Sequence, residues 1–260
     1  MRKLLSLLLL SSLLFSGCNK DKTVKIAATP VPHVDLLEVI RSDLAEDGIV
    51  IKIVEVDDYV LPNRLLAEKQ VDANFFQHEP YLDLQKKQFG YELVPLVAVH
   101  IEPLGIYSNK IESLQEILEG SKVSIPSDPT NESRALQLLE DVDLIKLKIH
   151  DKEALLTIHD IAENPKNLKI EELDAAFLPR SLSDVEISVI PVNYALQAKL
   201  DPLTDALALE SGDSPYANIL VIREEDLNKP EFEKLKQALT SDKLRKHINA
   251  QYGGSITPAF

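Results

Sequence analysis

The chain has 260 residues, with 28 lysines and arginines against 42 aspartates and glutamates, and a formal net charge of −14. A surface of that sign is repelled by a phosphate backbone and gains nothing from anionic lipid, so nucleic acid and polybasic membrane attachment are excluded. Its one cysteine, Cys18, leaves no intrachain disulfide to draw.

Met1-Arg2-Lys3 and the apolar run Leu4 to Phe15, closed by Ser16 and Gly17, have the make-up of a secretory leader and are too short to span a bilayer. Cys18 follows directly. Phe15-Ser16-Gly17-Cys18 resembles a bacterial lipobox, with Phe15 where an aliphatic residue is usual, so Cys18 is expected to be lipidated and to become the mature N-terminus. Two or more acyl chains anchor a protein stably where one gives marginal binding. Residues 18–23 then read as a tether. Loss of residues 1–17 removes Arg2 and Lys3, takes the net charge to −16 and leaves 243 residues, enough for one large or two modest domains.

Val24 to Ala28 is a buried-type strand stopped by Pro30 and Pro32, and Val34, Leu36, Leu37, Ile40 and Leu44 recur at helical spacing up to Gly48. Ile49 to Val56 is a second strand, a loop from Asp57 leads into a helix ending near Lys69, and Val71 to Tyr81 (VDANFFQHEPY) brings a third strand. Strand and helix alternate, which predicts right-handed crossovers and a mainly parallel sheet with covered faces. VDANFFQHEPY is a poor sequence for scaffold alone, because Asp72, Asn74, Gln77, His78 and Glu79 are set among Phe75, Phe76 and Tyr81. A largely apolar wall with a few placed polar groups, at the carboxyl end of a strand, is what a small-molecule pocket needs.

A helix from Tyr81 to Phe89 and a strand from Leu93 to Ile101 follow, and Glu102 to Ser108 reads as a crossing between domains. Ser113 to Glu116 has the spacing of a capping box, and Lys122 to Pro126 opens a second α/β unit. The helix after Asp128-Pro129-Thr130-Asn131 carries Arg134 in its first turn; free helix N–H groups beside a guanidinium suit a two-pronged grip on a carboxylate, and a surface arginine paired with Glu132 is the plainer alternative. Strands are expected over Leu144 to Lys148 and Leu168 to Leu173, with a helix between them ending near Asn164. The strand Val185 to Ile190 runs into Asn193-Tyr194, again polar and aromatic groups at a strand end; Asn218 to Arg223 is a strand placed alongside Leu104 to Ser108, and two amphipathic helices divided at Ser241-Asp242 close the chain.

No G-x-S-x-G elbow, P-loop, G-x-G-x-x-G, H-E-x-x-H or C-x-x-C occurs, so no motif calls for an enzyme or a cofactor. The metal alternative is that His33, His78 and His100 converge with Glu102 as four N/O ligands suited to zinc. Histidines beside an arginine and aromatic rings fit an organic ligand better.

The segments ATPVPH (28–33), YVLPN (59–63), DANFFQHEPY, HIEPLGIYS (100–108), DPTNESRALQLL (128–139), NPKNLKIEELDAAFLPRSL (164–182), DALALE (205–210), PYANILVIRE (215–224) and the terminal ITPAF span essentially the whole mature chain. Together they resemble the NlpA-type lipoproteins, the methionine-binding proteins of bacterial ABC importers. Phe75, Ser127, Ser133, Phe177 and Pro191-Val192 depart from residues usual in that family. The resemblance implies an α/β, two-lobed periplasmic-binding-protein fold of type II-like form with the ligand cleft between lobes: residues 24–104 and 206–260 as one lobe, 105–205 as the other. It implies that Tyr59, Phe76, His78 and Tyr81 wall the ligand side chain, that Arg134 takes the α-carboxylate, and that Asn193 and Asn218 bind the α-amino and carboxylate groups. It also implies a lipid-anchored place in the bacterial cell envelope, with a permease and its ATPase subunit as partners. Another small amino acid or a dipeptide as ligand, and a metal-binding or structural surface lipoprotein, are the competing readings.

Overall fold

The computed structural model describes residues 21–149, 151, 154–211 and 216–260. The expected leader and Cys18 lie outside them. The first strand, β1 (Lys22–Ala28), begins inside the stretch expected to be tether and is followed by α1 (Asp35–Glu46), β2 (Ile49–Glu55), α2 (Leu61–Ala67), β3 (Ala73–His78), α3 (Glu79–Phe89) and β4 (Leu93–Ile101). With β12 (Ala217–Arg223) and β13 (Thr257–Pro258) these strands make a six-stranded sheet in the order β13-β4-β12-β3-β1-β2. The pairs β1/β2 and β1/β3 are parallel, as right-handed crossovers require, while β12 runs antiparallel to both β3 and β4.

Both faces of this sheet are covered, which explains the near-continuous apolar strands. Ile26, Ala28, Leu220 and Ile222 point to the side where α1 meets α7 (Pro230–Leu239) and α8 (Asp242–Tyr252), through Leu36, Ile40, Leu235 and Ile248. Ala27, Ile219 and Val221 alternate to the other side, under Leu66 of α2 and Leu82 of α3.

The second sheet contains β5 (Leu104–Tyr107), β6 (Lys122–Pro126), β9 (Lys169–Leu173), β10 (Ile187–Pro191) and β11 (Ala206–Leu209), in the order β11-β5-β10-β6-β9. Helix α4 (Pro129–Asp141) covers one face through Ala135, Leu138 and Leu139; α5 (Leu178–Ser181) and α6 (Val192–Gln197) cover the other through Leu178 and Ala195. A separate two-stranded ribbon joins β7 (Lys146–Leu147) to β8 (Ile161–Glu163).

Three expectations from the sequence are corrected. Ala206–Leu209, assigned to the returning part of the first lobe, pairs antiparallel with β5 in the second sheet, so the chain crosses back only after Leu209. Ala217–Arg223 lies between β3 and β4, not beside Leu104 to Ser108, whose neighbours are β10 and β11. Among the described residues between Lys148 and Asn164 there is no α-helix, only a 3₁₀ turn at Ile158–Asp160 leading into β8. Ala154, Leu155, Ile158, Ile161 and Ala162 recur at helical spacing, but Ile161–Glu163 satisfies its backbone by pairing with β7 instead.

No helix among the described residues is long and apolar enough to cross a membrane.

Candidate functional site

The two sheets face each other with the carboxyl ends of their parallel strands turned to a common cleft. Beyond β2 the chain places Tyr59; β3 ends in Phe76 to His78; β6 leads through Asp128 into α4; β10 leads through Pro191 into α6 and Asn193. This is the crevice in which open α/β sheets place ligands. All seven residues expected at the site, Tyr59, Phe76, His78, Tyr81, Arg134, Asn193 and Asn218, line one cavity. Glu102 and Asn131, absent from the expected set, line it too.

The aromatic wall is a packed unit. The Tyr59 ring lies 6.0 Å from Phe76 and 6.2 Å from Tyr81, and Phe76 meets Tyr81 edge-on at 5.9 Å. The Tyr81 hydroxyl donates to the Tyr59 carbonyl at 2.9 Å, which fixes the loop after β2 against α3. Beneath the wall, Asn63, Asn74 and Gln77 are buried and joined by four side-chain hydrogen bonds, so these amides hold strand and helix together and are not free for a ligand.

His78 joins the two halves of the molecule. Its Nδ1 accepts the backbone N–H of Tyr81, capping α3 at 3.2 Å, so the proton sits on Nε2, which donates to Asn131 Oδ1 at 3.2 Å. Burial, then the nearby Arg134, push its pKa down to about 3, so the ring is neutral at pH 7. Asn131 in turn donates to both oxygens of Asp128, the N-cap of α4, and accepts Nη1 of Arg134 at 3.0 Å.

Arg134 is nearly fully buried and differs from the expected two-pronged grip. Glu210 takes Nε at 3.2 Å and Nη2 at 2.5 Å, Nη2 also donates to the Glu102 carbonyl at 3.0 Å, and the Tyr216 ring lies 4.2 Å from the guanidinium carbon. A guanidinium has five N–H groups, so four hydrogen bonds leave one, on Nη1. Asn193 presents the opposite situation. Its Oδ1 accepts the Tyr59 hydroxyl at 2.6 Å while Nδ2, buried, has no partner. A buried donor without a partner costs about 1–3 kcal/mol, a cost that a ligand oxygen removes.

Three of the four residues considered for metal lie together: His33, His100 and Glu102 offer ligand atoms within 4.8 Å of one another, whereas His78 is engaged with Asn131. His100 Nε2 is 2.6 Å from Glu102 Oε1, a hydrogen-bond distance and well short of the roughly 3.3 Å that separates two ligands around a tetrahedral zinc. His33 bridges Thr29, at 2.8 Å from Nδ1, and Asn218, at 3.2 Å from Nε2. Burial lowers the pKa of His33 to about 4 and that of His100 to about 3, and it raises that of Glu102.

The family model described as NlpA lipoprotein matches residues 24–260. The chain belongs to the NlpA lipoprotein family. It is 42% identical over 260 residues to the D-methionine-binding lipoprotein MetQ of Salmonella typhi, covering 97% of this chain and 95% of that one. The methionine-binding lipoprotein MetQ of Bacillus subtilis is 36% identical, over 91% of this chain and 88% of its own. Among solved structures, a nutrient-binding protein from Burkholderia cenocepacia bound to methionine superposes with a TM-score of 0.89 at 45% identity, covering 91% of this chain and 100% of that one. The two-lobed α/β architecture is thus the one shared across NlpA-family neighbours.

Proposed function

We propose that this NlpA-family protein is the substrate-binding lipoprotein of an ABC importer, capturing methionine in the cleft and delivering it to a membrane permease driven by its ATPase subunit. The observation that carries this reading is the cavity itself, where an aromatic wall faces a buried Asn193 Nδ2 with no partner and one uncommitted N–H of Arg134. Tyr59, Phe76, His78 and Tyr81 enclose the thioether side chain; the Arg134 N–H and Asn193 Nδ2 take the α-carboxylate; Asn218 binds at the amino end. The names of the relatives, which bind methionine, support the same ligand.

Binding makes and breaks no covalent bond. The two sheets with their helices act as jaws, the chain crossing between them at Glu102-Pro103 and again after Glu210, and the ligand favours the closed form by the extra contacts made there. Burial of its side chain contributes about 25 cal/mol per Å² before the ordering costs of association. Acylation of Cys18 holds the protein at the envelope membrane.

The test is thermal unfolding of residues 19–260, denatured to strip carried ligand, refolded, and heated with each amino acid in turn. A ligand at about 100 times its Kd adds about 2.7 kcal/mol, which moves the midpoint of a chain this size by about 5–10 °C. A shift confined to methionine supports the reading. A shift with a different amino acid keeps receptor and cleft but changes the ligand, and no shift with any of them sinks it.

A further inference from the structure

The cation of the cleft already has its carboxylate, and a second carboxyl group beside it has no such cationic partner. Both oxygens of Glu210 are on Arg134, in a pair whose side chains are 4% and 16% exposed. Glu102 lines the same cavity with its side chain 7% exposed. Its carboxylate is met by His100 Nε2 at 2.6 Å, by His33 Nε2 at 3.4 Å and by the backbone N–H of Asn193. Among the described residues no lysine or arginine lies within ion-pair distance of it.

Both histidines are neutral at pH 7, because burial holds them at about 4 and about 3. His33 meets the Thr29 hydroxyl at 2.8 Å through Nδ1 and Asn218 Oδ1 at 3.2 Å through Nε2. The donors around Glu102 therefore hydrogen-bond its carboxyl without supplying a full positive charge, and burial raises its pKa against the pull of His33 and Arg134, so a cation arriving beside it favours the ionised form. A buried carboxylate in that position is costly until a cation reaches it, and the cavity is the open approach.

We propose that Glu102 is the counter-ion of the ligand's α-ammonium, so that the cleft reads the amino end of its ligand by charge and the carboxyl end by hydrogen bonding alone. This rests on the reading of the cavity as an amino-acid site and sharpens its substrate class. At the carboxyl end, Arg134 offers one N–H and its charge is spent on Glu210, so a neutral carbonyl is served nearly as well as a carboxylate. At the amino end, a ligand without a cation leaves Glu102 buried and unpaired, and loss of one partner of a buried charge pair is the expensive case. Ligands with a free amino group and an amide in place of the carboxylate belong to the accepted class; N-acylated ones do not.

The test is calorimetric titration of the refolded protein with L-methionine, L-methioninamide and N-acetyl-L-methionine, at about pH 6.5, where amines of this type are mostly protonated. The expected result is methioninamide within about tenfold of methionine and N-acetylmethionine weaker by about a hundredfold or more, the order set by loss of one partner of a buried charged contact. Equal losses for the two derivatives, or the reverse order, overturn the proposal while leaving methionine capture intact. Failure of methionine itself removes the parent reading and this one together. Glu102→Gln supplies a second readout: with the anion gone, the preference for the amide over the N-acetyl compound narrows, and an unchanged ratio in a folded variant also overturns it.

Discussion

At the residue scale the site is a chain of dependent polar groups. Asp128 holds the amide of Asn131, whose oxygen receives His78 from one side and Arg134 from the other. Arg134→Ala removes the uncommitted N–H and also leaves Glu210 without its cation at the cleft. Methionine affinity is expected to fall by at least about 2 kcal/mol, roughly thirtyfold, in a direct titration, and unchanged affinity would take Arg134 out of the site. The sequence pointed to Arg134 because a cation in the first turn of a helix that opens after a strand is a recognisable anion site. It did not reveal Glu210, which lies 76 residues away in an ordinary apolar-acidic run, and it therefore overstated how much of the guanidinium remains for a ligand. Glu102 was visible in the sequence only as a metal candidate, since its role depends on which neighbours are neutral.

A second residue-scale effect lies away from the cleft. Burial, then a shared hydrogen bond and repulsion from Glu172, push the carboxyl of Glu132 up to about 7, with the Ile158 N–H and Asp128 as its other neighbours. A folded pKa raised above the unfolded 4.5 means that the protonated pair is favourable below about 4.5 and that this contribution is lost as pH rises through about 7. Glu172→Gln removes the repulsion. Its stability relative to the parent protein is expected to improve between about pH 5 and about pH 8 in urea unfolding, and a difference that stays constant across that range would refute the coupling.

At the scale of elements, helix termini place the chemistry. Helix α3 starts where His78 Nδ1 accepts the Tyr81 N–H, and α4 starts where Asp128 Oδ1 accepts the Asn131 N–H at 3.0 Å, so each cap is also part of the cross-cleft network. Asp128→Ala is expected to lower stability by about 1 kcal/mol, the usual worth of an N-cap, and to weaken methionine binding as well because Asn131 loses its anchor. A stability loss with unaltered affinity would separate the cap from the site. Periodicity and capping signals made α1, α3, α4, α7 and α8 legible, with β1 to β4 set by short apolar runs between turn residues. The misplacement of β12 has a physical cause: an apolar run declares a strand, but its partners here are β3 and β4, brought together by the fold across more than a hundred residues, and no local pattern encodes that pairing. The misread helix before Asn164 reflects the same limit, since β8 is held by its partner β7 and not by a period of its own.

At the scale of the molecule, the two halves are tied across the cleft by Tyr59 to Asn193 at 2.6 Å, Tyr194 to the Asp57 carbonyl at 2.9 Å and His78 to Asn131 at 3.2 Å. Tyr59, Asn193, His78 and Asn131 line the cavity, so two of these three ties are made by the groups proposed to meet a ligand. Closure and binding are then one equilibrium, and a ligand shifts it only by its differential contacts with the closed form. The most direct test uses a peculiarity of the composition: the chain's only methionine is Met1, so a protein of residues 19–260 contains none. Crystals of residues 19–260 grown with selenomethionine would carry selenium in the ligand alone. One anomalous peak in the cavity, between Tyr59, Phe76 and Tyr81, is the predicted result, while a peak elsewhere, or none in crystals of the refolded protein, would contradict capture of methionine in this cleft.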